Sequence, residues 1–208
     1  MMKKRLTSLA LSAMMVLSMV PATAFAAKDA GTPPTYNSAT GCYEISTPAQ
    51  LLYLAGKWKD GAPRDGHYVL TADIDMTGVK GFKPIASKKA EGFTGTFDGQ
   101  FHSIKGLRVE YEKKYAGLFG YVGNQNDQAY IKNGALLDCY VTGQQNDGAL
   151  AGVNYGTITD CVVTGEVKCL DLSNSHTAGG ICGKLKEGEG PIGGHGEDCY
   201  VNADVSAP

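Results

Sequence analysis

The C-terminal half of the chain repeats itself. Three runs of the form small, apolar, apolar or small, Gly are each followed by Asp-Cys, an aromatic or Val, Val, and then Thr-Gly or an equivalent. They read GLFG (117–120) with DCYVTG (138–143), ALAG (149–152) with DCVVTG (160–165), and GICG (180–183) with DCYVNA (198–203). A unit this short cannot bury its own apolar face, so repetition at this period means copies of one supersecondary unit stacked on each other. The 28 Gly and modest charge suit a turn-rich, all-β chain, and about 180 residues beyond the N-terminal segment suffice for one core or a short solenoid.

Residues 1–26 read as a secretory signal peptide: Lys3, Lys4 and Arg5 precede an apolar run from Leu6 to Val20, and Ala24-Phe25-Ala26 offers a small-x-small cleavage site. The apolar run is short for a membrane span, and no transmembrane segment is expected after cleavage. Without the signal, 16 basic residues face 21 acidic ones and no basic cluster remains, so nucleic acid is not an expected partner. The expected location is extracellular, secreted or on the cell surface.

Residues 27–40 (AKDAGTPPTYNSAT) are small, polar and Pro-bearing, and read as a linker. Structure is expected from Cys42-Tyr43-Glu44-Ile45, with residues 41–113 forming an N-terminal cap and the first layers and residues 114–208 the repeats. Thr47 fits a helix N-cap, Pro48 the first helical position and Gln50 the partner in a capping box, with Leu51, Leu52, Leu54 and Ala55 as the apolar face. A helix over 47–57 would shield the first edge of a β-stack. From Tyr68 to Met76 apolar residues alternate with polar ones, placing Asp73 and Asp75 on one face. Two further strands, 93–98 and 102–109, flank an Asp-Gly turn at 98–99.

All six Cys lie beyond the signal. Cys139, Cys161 and Cys199 hold equivalent positions in the three copies, as do Gly120, Gly152 and Gly183. The cysteines are expected to stack as a free, buried column, because parallel neighbours pointing the same way have poor geometry for a disulfide. By the same logic Asp138, Asp160 and Asp198 should form a ladder whose mutual repulsion needs an offset.

The pieces EISTPAQLLYLA, YVLTADIDM, FTGTFDGQFHSIKGL and AGLFG, together with the repeats, resemble the GLUG-motif proteins of bacteria across roughly residues 43–205. The resemblance implies a right-handed parallel β-helix, as in surface adhesins and the non-catalytic regions of IgA-specific metallopeptidases. Family repeats commonly carry Asn before the Cys, where this chain has Asp138, Asp160 and Asp198.

Chemistry is sparse in the sequence. No HExxH motif is present, and His67, His102, His176 and His195 are scattered, so neither a metal site nor a cofactor is expected. A glycan-active β-helix enzyme, a lyase or hydrolase, is the alternative: Gly194-His195-Gly196 and the Asp73/Asp75 pair echo hydrolase chemistry. Companion Asp-Asp and Arg-x-Lys signatures are missing, and beyond the signal only Arg64 and Arg108 remain as arginines. The stronger signal is variable spacing. Gly120 to Cys139 spans 19 residues, Gly152 to Cys161 spans 9, and Gly183 to Cys199 spans 16, which places inserts at one corner.

The first insert offers Asn124, Gln125, Asn126, Asp127, Gln128 and Tyr130, amide-rich chemistry suited to sugar hydroxyls or polar protein surfaces. The second offers Lys186, Glu187 and Glu189. The expectation is a non-catalytic module for adhesion to a glycan or a host or matrix protein, with a structural spacer in a larger surface protein as a further alternative. The third copy runs to Pro208 without a polar cap, so its open end is expected to continue into more repeats, to pair with another copy in self-association, or to lie under a loop.

Overall fold

The computed structural model describes residues 31–56, 62–171, 177–186 and 194–207; the expected signal peptide lies outside them. The chain enters through β1 (Thr35–Asn37), which turns back at Ser38–Gly41 and pairs antiparallel with β2 (Cys42–Ile45). Part of the stretch expected to be linker is therefore a strand. A polar TYN triplet carries no periodicity of its own, and its hydrogen bonds come from β2.

The helix α1 (Pro48–Gly56) follows. Thr47 Oγ1 accepts from Gln50 N (3.3 Å), while Gln50 Oε1 reaches back to Ser46 N (2.8 Å), one residue before the cap. Gln50 Nε2 also donates to Thr35 Oγ1 at 3.4 Å, tying the helix start to β1. Leu51 and Leu54 are buried under the helix, so its apolar face closes the first end of the core.

Beyond the helix the chain is all-β, built from short strands β3 (His67–Leu70), β4 (Ile74–Asp75), β5 (Thr96–Asp98), β6 (Ser103–Lys105), β7 (Arg108–Glu110) and β8 (Phe119–Val122), then β9 (Tyr130–Gly143), β10 (Asp147–Gly148) and β11 (Ala151–Asn154). The order ends with β12 (Thr157–Cys169), β13 (Ala178–Gly179), β14 (Cys182–Leu185), β15 (His195–Glu197) and β16 (Tyr200–Ser206). A 3-10 turn at Lys89–Glu91 interrupts the run between β4 and β5. Apart from β1, every pairing between these strands is parallel. One sheet has 11 strands, a second has three in the order β14-β11-β8, and a third pairs β10 with β13.

Parallel pairing in register sets like on like. Phe119, Ala151 and Cys182 form one row, so the GLFG, ALAG and GICG runs stack as their sequences imply. Gly120, Gly152 and Gly183 come next in that row. An added Cβ would lie 2.7 Å from Ser87 Cα, 2.5 Å from Tyr115 Cα and 2.1 Å from the Asn146 carbonyl carbon, respectively. Each glycine thus admits a corner of the preceding layer that is bent by a left-handed residue, Ala86, Tyr115 or Asn146. Inside, Val109, Val141 and Val167 make another row, all fully buried.

The Asp-Cys halves do not stack as expected. Cys161 pairs with Gly134, and Cys139 pairs with Gly165. Seven residues separate Val122 from Tyr130, but only two separate Asn154 from Thr157. The corner therefore absorbs five of the ten extra residues in the first copy, and the other five carry its Asp-Cys one corner further along β9. The column of three cysteines reduces to Cys161 beside Cys199. All six cysteines are free thiols, with Cys139, Cys161 and Cys169 buried. Burial pushes the Cys161 thiol up to about 12 and the Cys139 thiol up to about 11.

The three-membered Asp ladder dissolves for the same reason. Asn133, Asp160 and Asp198 share one corner, each with positive φ, while Asp138 bends the chain elsewhere, its N–H donating to Thr164 Oγ1 at 2.9 Å and its carboxylate 3.7 Å from Lys105 Nζ. At this corner the first copy carries Asn133, five residues before the Asp138 that precedes its Cys139.

The last layer lacks a neighbour among the described residues. Val201 and Val205 continue the rows of Val163 and Val167, yet they are 39% and 43% exposed where those are fully buried. Val167→Ala should lower stability by about 2 kcal/mol, from lost burial plus a cavity, and Val205→Ala by well under 1 kcal/mol. Thermal unfolding of the two variants side by side checks this; equal losses would mean the last layer is covered in solution.

Candidate functional site: a polar face between two corners

The strands β3, β5, β9, β12 and β15 lay five short segments side by side. Their inward row is Tyr68, Phe97, Ile131, Ile158 and Gly196. The alternation of a strand turns the flanking residues outward, giving one row of His67, Thr96, Tyr130, Thr157 and His195 and a second of Val69, Asp98, Lys132, Thr159 and Glu197. The result is a polar face that carries Tyr130, backed by the buried row of Tyr68, Phe97, Ile131 and Ile158.

One edge of this face is the insert corner. Residues 123–129 connect β8 to β9 and residues 186–194 connect β14 to β15, while only Tyr155-Gly156 joins β11 to β12. Because β8, β11 and β14 are in register, both inserts leave from the same corner. The first insert spends its amides on its own shape. Asn124 Oδ1 accepts from the N–H of Asn126 (2.7 Å) and Asp127 (2.9 Å), and Asn124 Nδ2 donates to Asp127 Oδ2 at 3.0 Å. Gln125 and Asn126 remain exposed at the tip. Gln128 Oε1 accepts from the hydroxyl of Tyr130 at 3.1 Å, fixing the ring at the loop's foot, 46% exposed.

Of the second insert, Lys186 is half-buried, held by its N–H to Asn154 O and by Gly194 N–H to its carbonyl. Glu187 and Glu189 lie outside the described residues.

The opposite edge is the left-handed corner of Asn133, Asp160 and Asp198. In the layer before, the chain makes a longer turn in which His102 N–H donates to Gly99 O (2.8 Å) across Gln100 and Phe101, with φ of 47° and 63°. The turn's central pair is thus Gln100-Phe101, two residues beyond the expected Asp98-Gly99. Two carboxylates brace it. Asp98 Oδ1 accepts from Gln100 N (2.9 Å) and Asn133 Nδ2 (3.1 Å), and its Oδ2 lies 3.3 Å from Lys132 Nζ. Asp73 Oδ1 accepts from Ser103 N (2.7 Å) and Oγ (3.1 Å), with His102 Nδ1 3.5 Å away. Sequence reasoning missed this edge. Its only written signal is Gln-Phe in a turn that ordinarily takes Asn-Gly.

The electrostatics of these carboxylates bear on hydrolysis. The Asp73 carboxyl is held below the usual range by the Ser103 backbone N–H and then its hydroxyl, and Asp75 by Thr77. A glycoside hydrolase needs one carboxylic acid raised to donate a proton, and neither member of this pair is raised. Among the described residues, no group of three His, Cys, Asp or Glu side chains could hold a metal ion, and no helix is long and apolar enough to cross a membrane.

No family model matches the chain. Halomucin of Haloquadratum walsbyi is 32% identical over 131 residues, covering 56% of this chain but only 1% of that protein's length. The crystal structure of a candidate immunoglobulin A1 protease from Bacteroides ovatus superposes with a TM-score of 0.58, covering 86% of this chain and 67% of that one at 18% identity. At that identity the likeness is one of fold.

Burial raises the cost of charge on Asp98, but the donors from Gln100, Asn133 and Lys132 outweigh it, and its carboxyl sits below the usual range. A depressed carboxyl stabilises the folded state fully above the unfolded value, about pH 4, and loses that contribution as pH falls through the folded value. Asp98→Asn should therefore cost about 1–2 kcal/mol at neutral pH and flatten the fall in Tm below about pH 4. Parallel acid-melting curves for the variant and parent would refute the assignment.

Proposed function

We propose that this chain is a secreted or cell-surface, non-catalytic binding module, built as a right-handed parallel β-helix of the GLUG-repeat type with α1 as its cap. The observation that carries this reading is the shared corner: two of three equivalent connections are enlarged, both leave from the same corner, and the first borders a polar, aromatic-bearing face. In stacked-repeat proteins, inserts confined to one side are where ligands are commonly held. The parallel, in-register layers and the fold likeness to the Bacteroides protein support the β-helix. The similarity to halomucin and the sequence of residues 1–26 support an extracellular setting.

The partner is a glycan or a host or matrix protein, met by Tyr130, Gln125 and Asn126 with Lys186. Catalysis is the weaker reading, because Asp73 and Asp75 are both engaged as ionised turn braces. A pure spacer would need neither insert.

Replacing residues 123–129 by Tyr-Gly, the connection that the second copy uses, should leave the fold intact and abolish binding to whichever glycan or matrix protein the parent chain captures on a mixed printed array. The chain should leave pectin, alginate, mucin glycans and immunoglobulin A uncut. Binding that survives the loop exchange, or turnover that disappears with His195→Ala or Asp75→Asn, would sink this reading.

A separate proposal concerns the last layer. Tyr200, Val201, Val205 and Leu185 are 39–61% exposed along an edge whose strands have no outer partner among the described residues, which supports self-association of two copies through this end. Light scattering should report a concentration-dependent dimer that Val205→Lys dissociates. A monomer at high concentration would exclude it.

A further inference from the structure

Phe101 stands out at the corner edge of the face. Its position continues the column of Asn133, Asp160 and Asp198, since Phe101 N–H donates to Asn133 O at 2.7 Å and Ser103 pairs with Ala135 two residues on. Asn and Asp tolerate a left-handed backbone because their short polar side chains bond locally. A phenylalanine at φ 63° has no such compensation and is strained. The ring is also 86% exposed, so burial returns nothing.

Tyr115 shows what a structural explanation looks like. It too is left-handed, at φ 71°, but its ring packs against Tyr121 with centroids 4.9 Å apart, beside buried Val153 and Tyr155. Phe101 has no aromatic partner among the described residues. Two penalties thus fall on one residue without a return inside the fold, and strain of this kind persists where a function holds it.

We propose that Phe101 is an aromatic platform on which a sugar ring of a bound glycan stacks. The surroundings decide the class of ligand. The ring is isolated among hydrogen-bonding groups: the exposed carboxylate of Asp73 with His102, and Lys132 with Asp98 and Asn133. A protein hot spot draws on a contiguous apolar patch ringed by contacts that exclude water, and among the described residues no other exposed large apolar side chain lies in this turn or at the adjoining Lys132-Asn133-Gly134 corner. One apolar face with charged and amide groups at its rim matches a pyranose, which is apolar on its C–H face and polar around its edge. Tyr130 lies about three strand residues away across the same face, roughly 10 Å, so the two rings mark the ends of a track for a short oligosaccharide.

This inference rests on the binding-module reading, and the test separates the two. The full chain and its Phe101→Gly, Phe101→Asn and Phe101→Trp variants are applied to a printed array of plant, algal and mucin-type glycans, and their melting temperatures are measured. Phe101→Gly and Phe101→Asn should weaken the strongest glycan signal by about thirtyfold, the scale of an anchoring aromatic, while leaving Tm unchanged or raised because the left-handed strain is relieved. Phe101→Trp should retain binding within about threefold. Glycan binding unchanged in Phe101→Gly overturns the platform and leaves the binding module standing. A lowered Tm in both Gly and Asn variants also overturns it, by making the ring structural. A chain that captures no glycan overturns the platform together with the glycan half of the broader reading.

Discussion

From β2 onward the described strands pair in parallel, each taking its hydrogen bonds from the layer before and, up to the last layer, giving them to the layer after. Backbone groups buried without partners are costly, so that ladder is the constraint on which the rest depends. It compels residues at one position to resemble their neighbours above and below. A valine over a valine shares one apolar row, a glycine over a glycine leaves room for one repeated corner, and a left-handed Asn over Asp over Asp repeats one bend. Where the ladder ends without a partner among the described residues, as at β16, the valine that is fully buried as Val141 and Val167 is exposed as Val205.

The ladder leaves the corners free to vary, because a corner projects from the stack and owes nothing to the register. That freedom is used at one side. The loop of residues 123–129 folds on its own amides, with Asn124 serving as an internal brace and Gln128 orienting Tyr130. The corner at Gly99–His102 is braced by Asp98 and Asp73 in the same manner. Between the two corners, paired strands hold the outward side chains at fixed spacing. A ligand lying across β5, β9 and β12 would meet rows of Thr, Lys, Asp and Tyr already in place, which reduces the entropy lost on binding.

Strain is distributed unevenly over this frame. Most left-handed positions carry Gly, Asn or Asp, the residues that bear that conformation at least cost. Tyr115 offsets its strain by packing, and Phe101 does not. The buried thiols point the other way: with their ionisation suppressed by burial and no disulfide formed, Cys139 and Cys161 act as small apolar residues in the rows they occupy.

How much of this was written in the chain can be read element by element. Local chemistry sufficed for α1, since Thr47, Pro48, Gln50 and the leucines name a helix start and face without help from elsewhere. The repeat words sufficed to align GLFG, ALAG and GICG, because a constrained glycine leaves little choice of register. They misled for Asp-Cys: ten extra residues can be accommodated at any corner, and only the pairing of Cys161 with Gly134 reveals that five lie in the loop and five within β9. The strand at Thr35–Asn37 was illegible because β2 supplies its hydrogen bonds. Tyr130 and the insert were legible from spacing. The edge that faces them across the sheet was not, since nothing local in Gln100-Phe101 dictates positive φ. That conformation comes from the turn that must pass Gly134, where a Cβ on Gly99 would come within 2.4 Å of its neighbour's Cα. Sequence by itself determined which residues are repeated and what bends or buries easily. Tertiary pairing alone decided which copies of a word share a row, because register is set by the whole ladder and not by any single strand.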